Sequence, residues 1–144
     1  LDAISYGHRH STRDLCVLLD ARKQEVYAAR YEAVPDPVLE TPLRWLRCVG
    51  AHRCTPVHDV LGEIERPTLF VGDGAAAYRC AIEESLGDLA SFGDEEAGVC
   101  RAWAVATLGA RLQREQPTTA AESVDLAPLY LRRPEAVVKL GQAR

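Results

Sequence analysis

The residues best placed for chemistry form a glycine turn within the stretch LFVGDGAAAYRC, residues 69–80. Gly72, Asp73 and Gly74 follow a short apolar segment and precede an alanine-rich one, which predicts a strand, a turn and a helix. Backbone amides at a helix N-terminus attract anions, and glycines let a phosphate approach the backbone closely. The turn lacks the Lys-Ser/Thr ending of a P-loop and the third glycine of a dinucleotide fingerprint. Asp73 would also repel a phosphate, so a tight turn with Asp73 near the helix N-terminus is the competing interpretation.

A second group of candidate ligands contains two cysteines and two histidines, namely Cys48, His52, Cys54 and His58. Thiolates and imidazoles are the usual ligands of zinc, but three, one and three intervening residues are not the spacing of a zinc finger. We therefore expect no metal site. A metal or redox module built on these four residues is kept as an alternative.

Nucleophilic catalysis has little support in the sequence, which contains neither a Gly-x-Ser-x-Gly elbow nor a His-x-x-x-His pair. Asp20 and Arg22 are interpreted as a surface ion pair, and the acidic run at residues 94–96 as favourable charge at a helix start. We expect no catalytic residue.

Composition limits the classes of protein further. The chain has 144 residues, 47% hydrophobic and 26% charged, which suits a single globular domain. A net charge of −4 argues against direct binding to nucleic acid. No apolar run reaches the roughly 18–20 residues of a membrane span, and five scattered cysteines fit a reducing compartment, so we expect a cytoplasmic protein without a membrane partner. Because the sequence has no methionine, we also expect a fragment whose upstream part is missing.

The elements that must position these residues follow from the hydrophobic pattern. Residues 14–33 predict two strands joined by a tight turn, with Leu15, Val17 and Leu19 on one face. The remaining predictions are a strand at 43–50, a helix at 56–64, a strand at 68–72, a helix at 75–86, a loop at 87–98, a helix at 98–116 and an extended segment at 128–132. In the long helix, one buried stripe is predicted, formed by Val99, Trp103, Ala106 and Ala110.

This order predicts an α/β domain in which an antiparallel three-strand meander is followed by further strands with packed helices. The same plan is typical of ribonuclease-H-like domains, two of which form the lobes of the actin-like ATPases.

Three stretches read together resemble a known family: LLDARKQEVYAARY at residues 18–31, FVGDGAAAY at 70–78 and LAPLYLRRPEA at 126–136. Their order and spacing are similar to the C-terminal half of the TsaB (YeaZ) family, which belongs to the actin-like ATPase superfamily and carries the label of glycoprotease (M22). The resemblance implies that residues 1–144 are a single domain, the second lobe of a two-lobe protein whose first lobe is absent.

The resemblance also implies a function. TsaB is the non-catalytic partner of a TsaD-like protein that transfers threonylcarbamoyl to adenosine 37 of tRNA, with a TsaE-like ATPase as the third member. The resemblance further implies that the protein forms a homodimer, that it contacts tRNA only through the complex, and that it has no cofactor. Gly72, Asp73 and Gly74 would be a degenerate nucleotide loop that keeps at most residual ATP or ADP contact in the two-lobe parent. The alternative is an ATP-binding or ATP-hydrolysing lobe of an actin-like or sugar-kinase-like enzyme.

Overall fold

The computed structural model describes residues 1–35, 44–115 and 128–132. The strands in these ranges are Asp14–Asp20 (β1), Glu25–Pro35 (β2), Arg44–Pro56 (β3), Thr68–Val71 (β4) and Ala90–Phe92 (β5). The helices are Asp2–Gly7 (α1), Val57–Leu61 (α2), Asp73–Ala77 (α3), Arg79–Leu86 (α4) and Ala102–Glu115 (α5), with 3-10 turns at Gly87–Leu89 and Glu95–Gly98. None of the helices in this described part has the length and apolar character needed to cross a bilayer.

The strands form one mixed sheet in the order β3-β2-β1-β4-β5. β2 runs antiparallel to both β1 and β3, whereas β4 is parallel to β1 and β5 is parallel to β4. The α/β class expected from the sequence is confirmed. Since β1, β4 and β5 are parallel, their carboxyl ends lie at the same edge of the sheet.

Two hydrophobic clusters cover the two faces of the sheet. On one face, Cys16 and Leu18 of β1 pack with Ile82 of α4 and with α2. On the other, Leu15 and Val17 pack with α1. β1 is therefore buried on both faces, which explains why its sequence, DLCVLLD, is apolar almost throughout. The two strands predicted for residues 14–33 are confirmed, with Leu15, Val17 and Leu19 on one face.

Several predicted boundaries are wrong. β3 continues beyond Gly50 to Pro56, so the helix predicted from Pro56 begins one residue later, at Val57. The predicted helix at 75–86 is two helices that begin at Asp73 and are separated at Tyr78, where φ is −108°. The loop predicted at 87–98 contains β5 and two 3-10 turns. At 128–132 the structure shows no strand.

The buried stripe predicted for the long helix is also wrong. Trp103 is 49% exposed, and Ala106 and Ala110 are exposed as well, whereas Ala104 is fully buried. The helix α5 packs against α1, which covers only a narrow part of it. Helical periodicity shows which residues share a face of α5. Which of these faces is buried depends on the position of α1.

The orientation of α5 is testable by replacing each of two nearby alanines with leucine. We expect Ala104→Leu to lower the free energy of unfolding by about 1–3 kcal/mol, because the larger side chain overfills a buried site. Ala106→Leu is the matched control and should change it by less than about 0.5 kcal/mol. Urea unfolding of both variants measures this, and an equal loss in the two would contradict the observed orientation of α5.

Candidate functional site

The glycine turn singled out in the sequence lies against the backbone of β1. Gly72 has φ +102°, and a Cβ atom there would lie 2.2 Å from the carbonyl oxygen of Leu18. A Cβ on Gly74 would lie 2.9 Å from the carbonyl carbon of the same residue. Both glycines are therefore required because α3 begins in direct backbone contact with β1.

A third glycine, Gly98, lies directly against the turn. A Cβ on Gly98 would lie 2.5 Å from the Cα of Gly72. The backbones of Leu18, Gly72 and Gly98 are thus stacked in three layers without side chains between them. Packing of backbone on backbone accounts for the glycines of this turn.

Asp73 is directed at the neighbouring strand and not at its own helix. Its Oδ1 accepts a hydrogen bond of 3.0 Å from the backbone amide of Asp20, the last residue of β1. Asp20 in turn accepts a bond of 2.8 Å from the amide of Arg22 and forms an ion pair with that side chain. The expected ion pair is confirmed, whereas the cap of the helix is the Gly72 backbone.

The hairpin between β1 and β2 has unusual backbone geometry. Arg22, Lys23 and Gln24 have φ values of +63°, +56° and +63°. Each left-handed residue with a side chain costs roughly 1–2 kcal/mol. Strain of this kind persists only where surrounding contacts impose it, and such positions are enriched at functional sites.

Arg132 supplies part of that restraint. One of its guanidinium nitrogens donates to the carbonyl oxygen of Ala21 at 2.8 Å, and another forms an ion pair of 2.8 Å with Glu25. Asp73 holds the other side of the hairpin through Asp20. The three stretches that carry the family resemblance therefore meet at one corner, at the carboxyl end of β1.

A groove of about 790 Å³ opens beside this corner, between the ends of β4 and β5 and the start of α3. The guanidinium of Arg79 lies 4.3 Å from the ring centre of Phe92 and pairs with Glu83 at 2.8 Å. Gly72 and Asp73 line the groove at the end of β4. An apolar groove with one cation in its wall has the size of a small-molecule site. Sequence reasoning missed this groove because β5 was predicted as loop.

The cysteine and histidine group is only partly brought together. Cys48 and His52 approach each other and Asp2, with their ligand atoms within 4.8 Å of one another. Cys54 lies opposite Tyr27 in the sheet, and His58 pairs with the neighbouring Asp59. The four-residue grouping expected as the alternative is therefore wrong, whereas an Asp2–Cys48–His52 group was not foreseen. No local signal could have supplied Asp2, which is 46 residues away from Cys48.

Three of the five thiols have raised pKa values, which is the opposite of nucleophilic activation. Burial raises the pKa of the Cys16 thiol to about 12. Burial also raises the pKa of Cys48 and of Cys54, with the charges of Asp2 and Glu25 as further causes. Catalytic cysteines need the opposite shift, since the thiolate is the nucleophile.

Comparisons with known proteins identify the fold of this chain but no family. No family model matches the chain, and no curated protein does. A solved structure described as "an uncharacterized protein with similarity to peptidase YEAZ from Pseudomonas aeruginosa" matches with a TM-score of 0.60 at 18% identity. The match covers 92% of this chain and 56% of the other, so this chain spans little more than half the length of that protein. The chain shares its fold with part of a YeaZ-like protein.

Substitution of Gly72 tests the stacked backbone. We expect Gly72→Ala to lower the free energy of unfolding by roughly 2–6 kcal/mol, the sum of backbone strain and overpacking against Leu18. Gly87→Ala is the control, because Gly87 also has a positive φ, +52°, but has open space around it. Thermal and urea unfolding should show a clearly smaller loss for Gly87→Ala, and equal losses would mean that the contact with Leu18 is not close.

Thiol labelling tests the shifted pKa values. At about pH 8 we expect Cys80 and Cys100, which are exposed, to be alkylated in the folded protein, whereas Cys16 stays unmodified until the protein unfolds. The raised pKa keeps the Cys16 thiol protonated, and burial excludes the reagent. Mass spectrometry of peptides after timed alkylation measures the order, and early modification of Cys16 would contradict its placement in the core.

Proposed function

We propose that this chain is a TsaB-like lobe that acts as a non-catalytic subunit in threonylcarbamoyl transfer to adenosine 37 of tRNA. The observation that carries the proposal is the corner where Asp73 and Arg132 hold the hairpin of β1 and β2. The three family-like stretches lie far apart in the sequence, and hydrogen bonds join them in the fold. A fold shared with part of a YeaZ-like protein supports the same assignment.

The architecture supports a finer placement within that proposal. An antiparallel meander followed by parallel strands with connecting helices is the plan of a ribonuclease-H-like lobe of the actin-like ATPase fold. We propose that residues 1–144 are one domain, the second lobe of a two-lobe protein. The resemblance of its three stretches to the C-terminal half of the family supports this, and the chain covers 56% of the matched structure.

The side chains at the corner favour a structural role over catalysis. The carboxylates of Asp73 and Asp20 accept bonds from backbone amides, and the glycines are needed for packing. The pKa values of Cys16, Cys48 and Cys54 are raised, which makes these thiols less reactive. A scaffold that stabilises a TsaD-like partner needs none of these groups to react. The matched structure is described as similar to a peptidase, but these side chains do not favour peptidase chemistry in this chain.

The proposed partners are those of the TsaB family. They are a TsaD-like transferase, a TsaE-like ATPase and a second copy of the two-lobe protein, with tRNA contacted through the complex and no cofactor of its own. Its compartment is the cytoplasm, where tRNA is modified.

A nucleotide-binding lobe is the second candidate, and the groove beside Gly72, Asp73 and Gly74 favours it. Its volume of about 790 Å³ suits a nucleoside, and Arg79 could pair with a phosphate. Against it, α3 has five residues and offers only a short stack of amides, and Asp73 places a negative charge at the turn. The groove is therefore the part of the site on which the two candidates differ.

Reconstitution distinguishes the candidates. The two-lobe protein is mixed with TsaD-like and TsaE-like proteins, ATP, tRNA and threonylcarbamoyl-adenylate, and modified adenosines are counted with and without it. We expect modification to depend on its presence. If omission changes nothing, the scaffold function is wrong.

Two neighbouring alanines then test the groove. Both are exposed residues of α3, but only Ala76 lines the groove. We expect Ala76→Trp, which fills the groove, and its control Ala77→Trp to support equal modification. If Ala76→Trp alone abolishes modification and ATP binding while the protein stays folded, the nucleotide-binding lobe is the correct function.

A further inference from the structure

The strand β3 changes course at a bulge beside β2. Val49 pairs with Arg30, and Arg53 pairs with Ala28, so three residues of β3 face a single residue of β2. The first of the three, Gly50, has φ +76°, a conformation that favours glycine. Bulges of this kind redirect the side chains that flank them.

The bulge brings two potential ligands together. In a regular strand, Cys48 and His52 would lie about 13 Å apart along the strand axis, since each residue advances the strand by about 3.3 Å. Instead, the Cys48 thiol, an imidazole nitrogen of His52 and a carboxylate oxygen of Asp2 all lie within 4.8 Å of one another. Asp2 comes from α1, which packs on this face of the sheet.

We propose that Asp2, Cys48 and His52 form a binding site for a divalent transition-metal ion of the zinc class. Zinc is bound tetrahedrally at about 2.0–2.3 Å by oxygen, nitrogen and sulfur, so its ligand atoms lie about 3.5 Å apart. His52 Nε2 and Asp2 Oδ1 are hydrogen-bonded to each other at 3.0 Å. An ion bound by all three residues would replace this hydrogen bond.

A buried residue orients the carboxylate of the site. The hydroxyl of Tyr31 donates to Asp2 Oδ1 at 2.8 Å, and the tyrosine is only 3% exposed. Tyr31 also lies directly opposite Cys48 in the sheet register. Hydrogen bonds that fix metal ligands in this way are typical of metal sites.

The site is open to solvent on one side. Asp2 and Cys48 are exposed, and both line a groove of about 270 Å³ together with Leu108 and Arg111 of α5. Three protein ligands leave a fourth position, which water or another ligand occupies in open zinc sites. The groove provides the entry path and the room for that fourth ligand.

The ligand types select the class of metal. A thiolate and an imidazole favour zinc and related soft or borderline ions, whereas magnesium and calcium favour oxygen ligands alone. The sequence predicted no metal site, and its alternative grouped Cys48 and His52 with Cys54 and His58. The geometry replaces that group with one built around Asp2. This site is independent of the function proposed above.

Cobalt(II) is the probe for the test, because a thiolate ligand gives it a charge-transfer absorption in the near ultraviolet. The protein is purified without a histidine tag in a background of Cys80→Ser and Cys100→Ser, since these exposed thiols could bind metal elsewhere. We expect one equivalent of Co²⁺ to bind with thiolate absorption, to be displaced by Zn²⁺, and to be unaffected by excess Mg²⁺.

Variants identify the ligands. We expect Asp2→Ala, Cys48→Ser and His52→Ala each to weaken binding at least tenfold, and Tyr31→Phe to weaken it about tenfold through the oriented carboxylate. Cys54→Ser and His58→Ala are the matched controls and should bind as the background protein does.

A second measurement uses the unaltered site and so does not depend on the folding of variants. Zn²⁺ should slow the alkylation of Cys48 and leave that of Cys54 unchanged. The proposal is overturned if Co²⁺ does not bind, if binding survives Cys48→Ser or His52→Ala, or if Zn²⁺ protects Cys54 equally.

Discussion

The contact between the backbones of Leu18, Gly72 and Gly98 is the constraint on which the rest of this corner depends. β4 lies parallel to β1, so the chain that leaves β4 must turn across the end of β1 to begin α3. A side chain on Gly72 would clash with the Leu18 carbonyl group. Because Gly72 has no side chain, α3 starts close to the sheet. The segment that follows β5 can then pack over the turn.

The strained hairpin depends on the same contact. Once the turn lies on β1, Asp73 is in reach of the Asp20 amide, and Arg132 binds the opposite side of the loop through Ala21 and Glu25. Three left-handed residues cost roughly 3–6 kcal/mol in total. The hydrogen bonds and the ion pair of Asp73 and Arg132 offset part of this cost. The exposed arginine and lysine of the hairpin are thereby presented in a fixed conformation.

How much the sequence predicted depends on how local each signal was. Two apolar segments joined by a short polar connection were enough to assign β1 and β2, and the two-residue period of a strand assigned their faces. β5 has only three residues, and the parallel pairing with β4 that makes it a strand is not visible locally. For α5, periodicity defined a stripe around Trp103, but the position of α1 decided that Ala104 is buried instead. In the candidate site, the glycines were found because their spacing is local, whereas the groove beside them required β5.

Cys48 and His52 illustrate the same limit at an irregular position. Their spacing does not match a zinc finger, and a regular strand would keep them about 13 Å apart. The bulge at Gly50 brings them together, and Asp2 comes from a helix that no spacing rule connects to β3. Irregular backbone is where local rules fail and where functional groups are often placed. The sheet order further separates this group from the glycine turn, since β3 forms one edge and β5 the other. Substitutions at one site leave the residues of the other untouched, so metal binding and the role of the groove can be established independently.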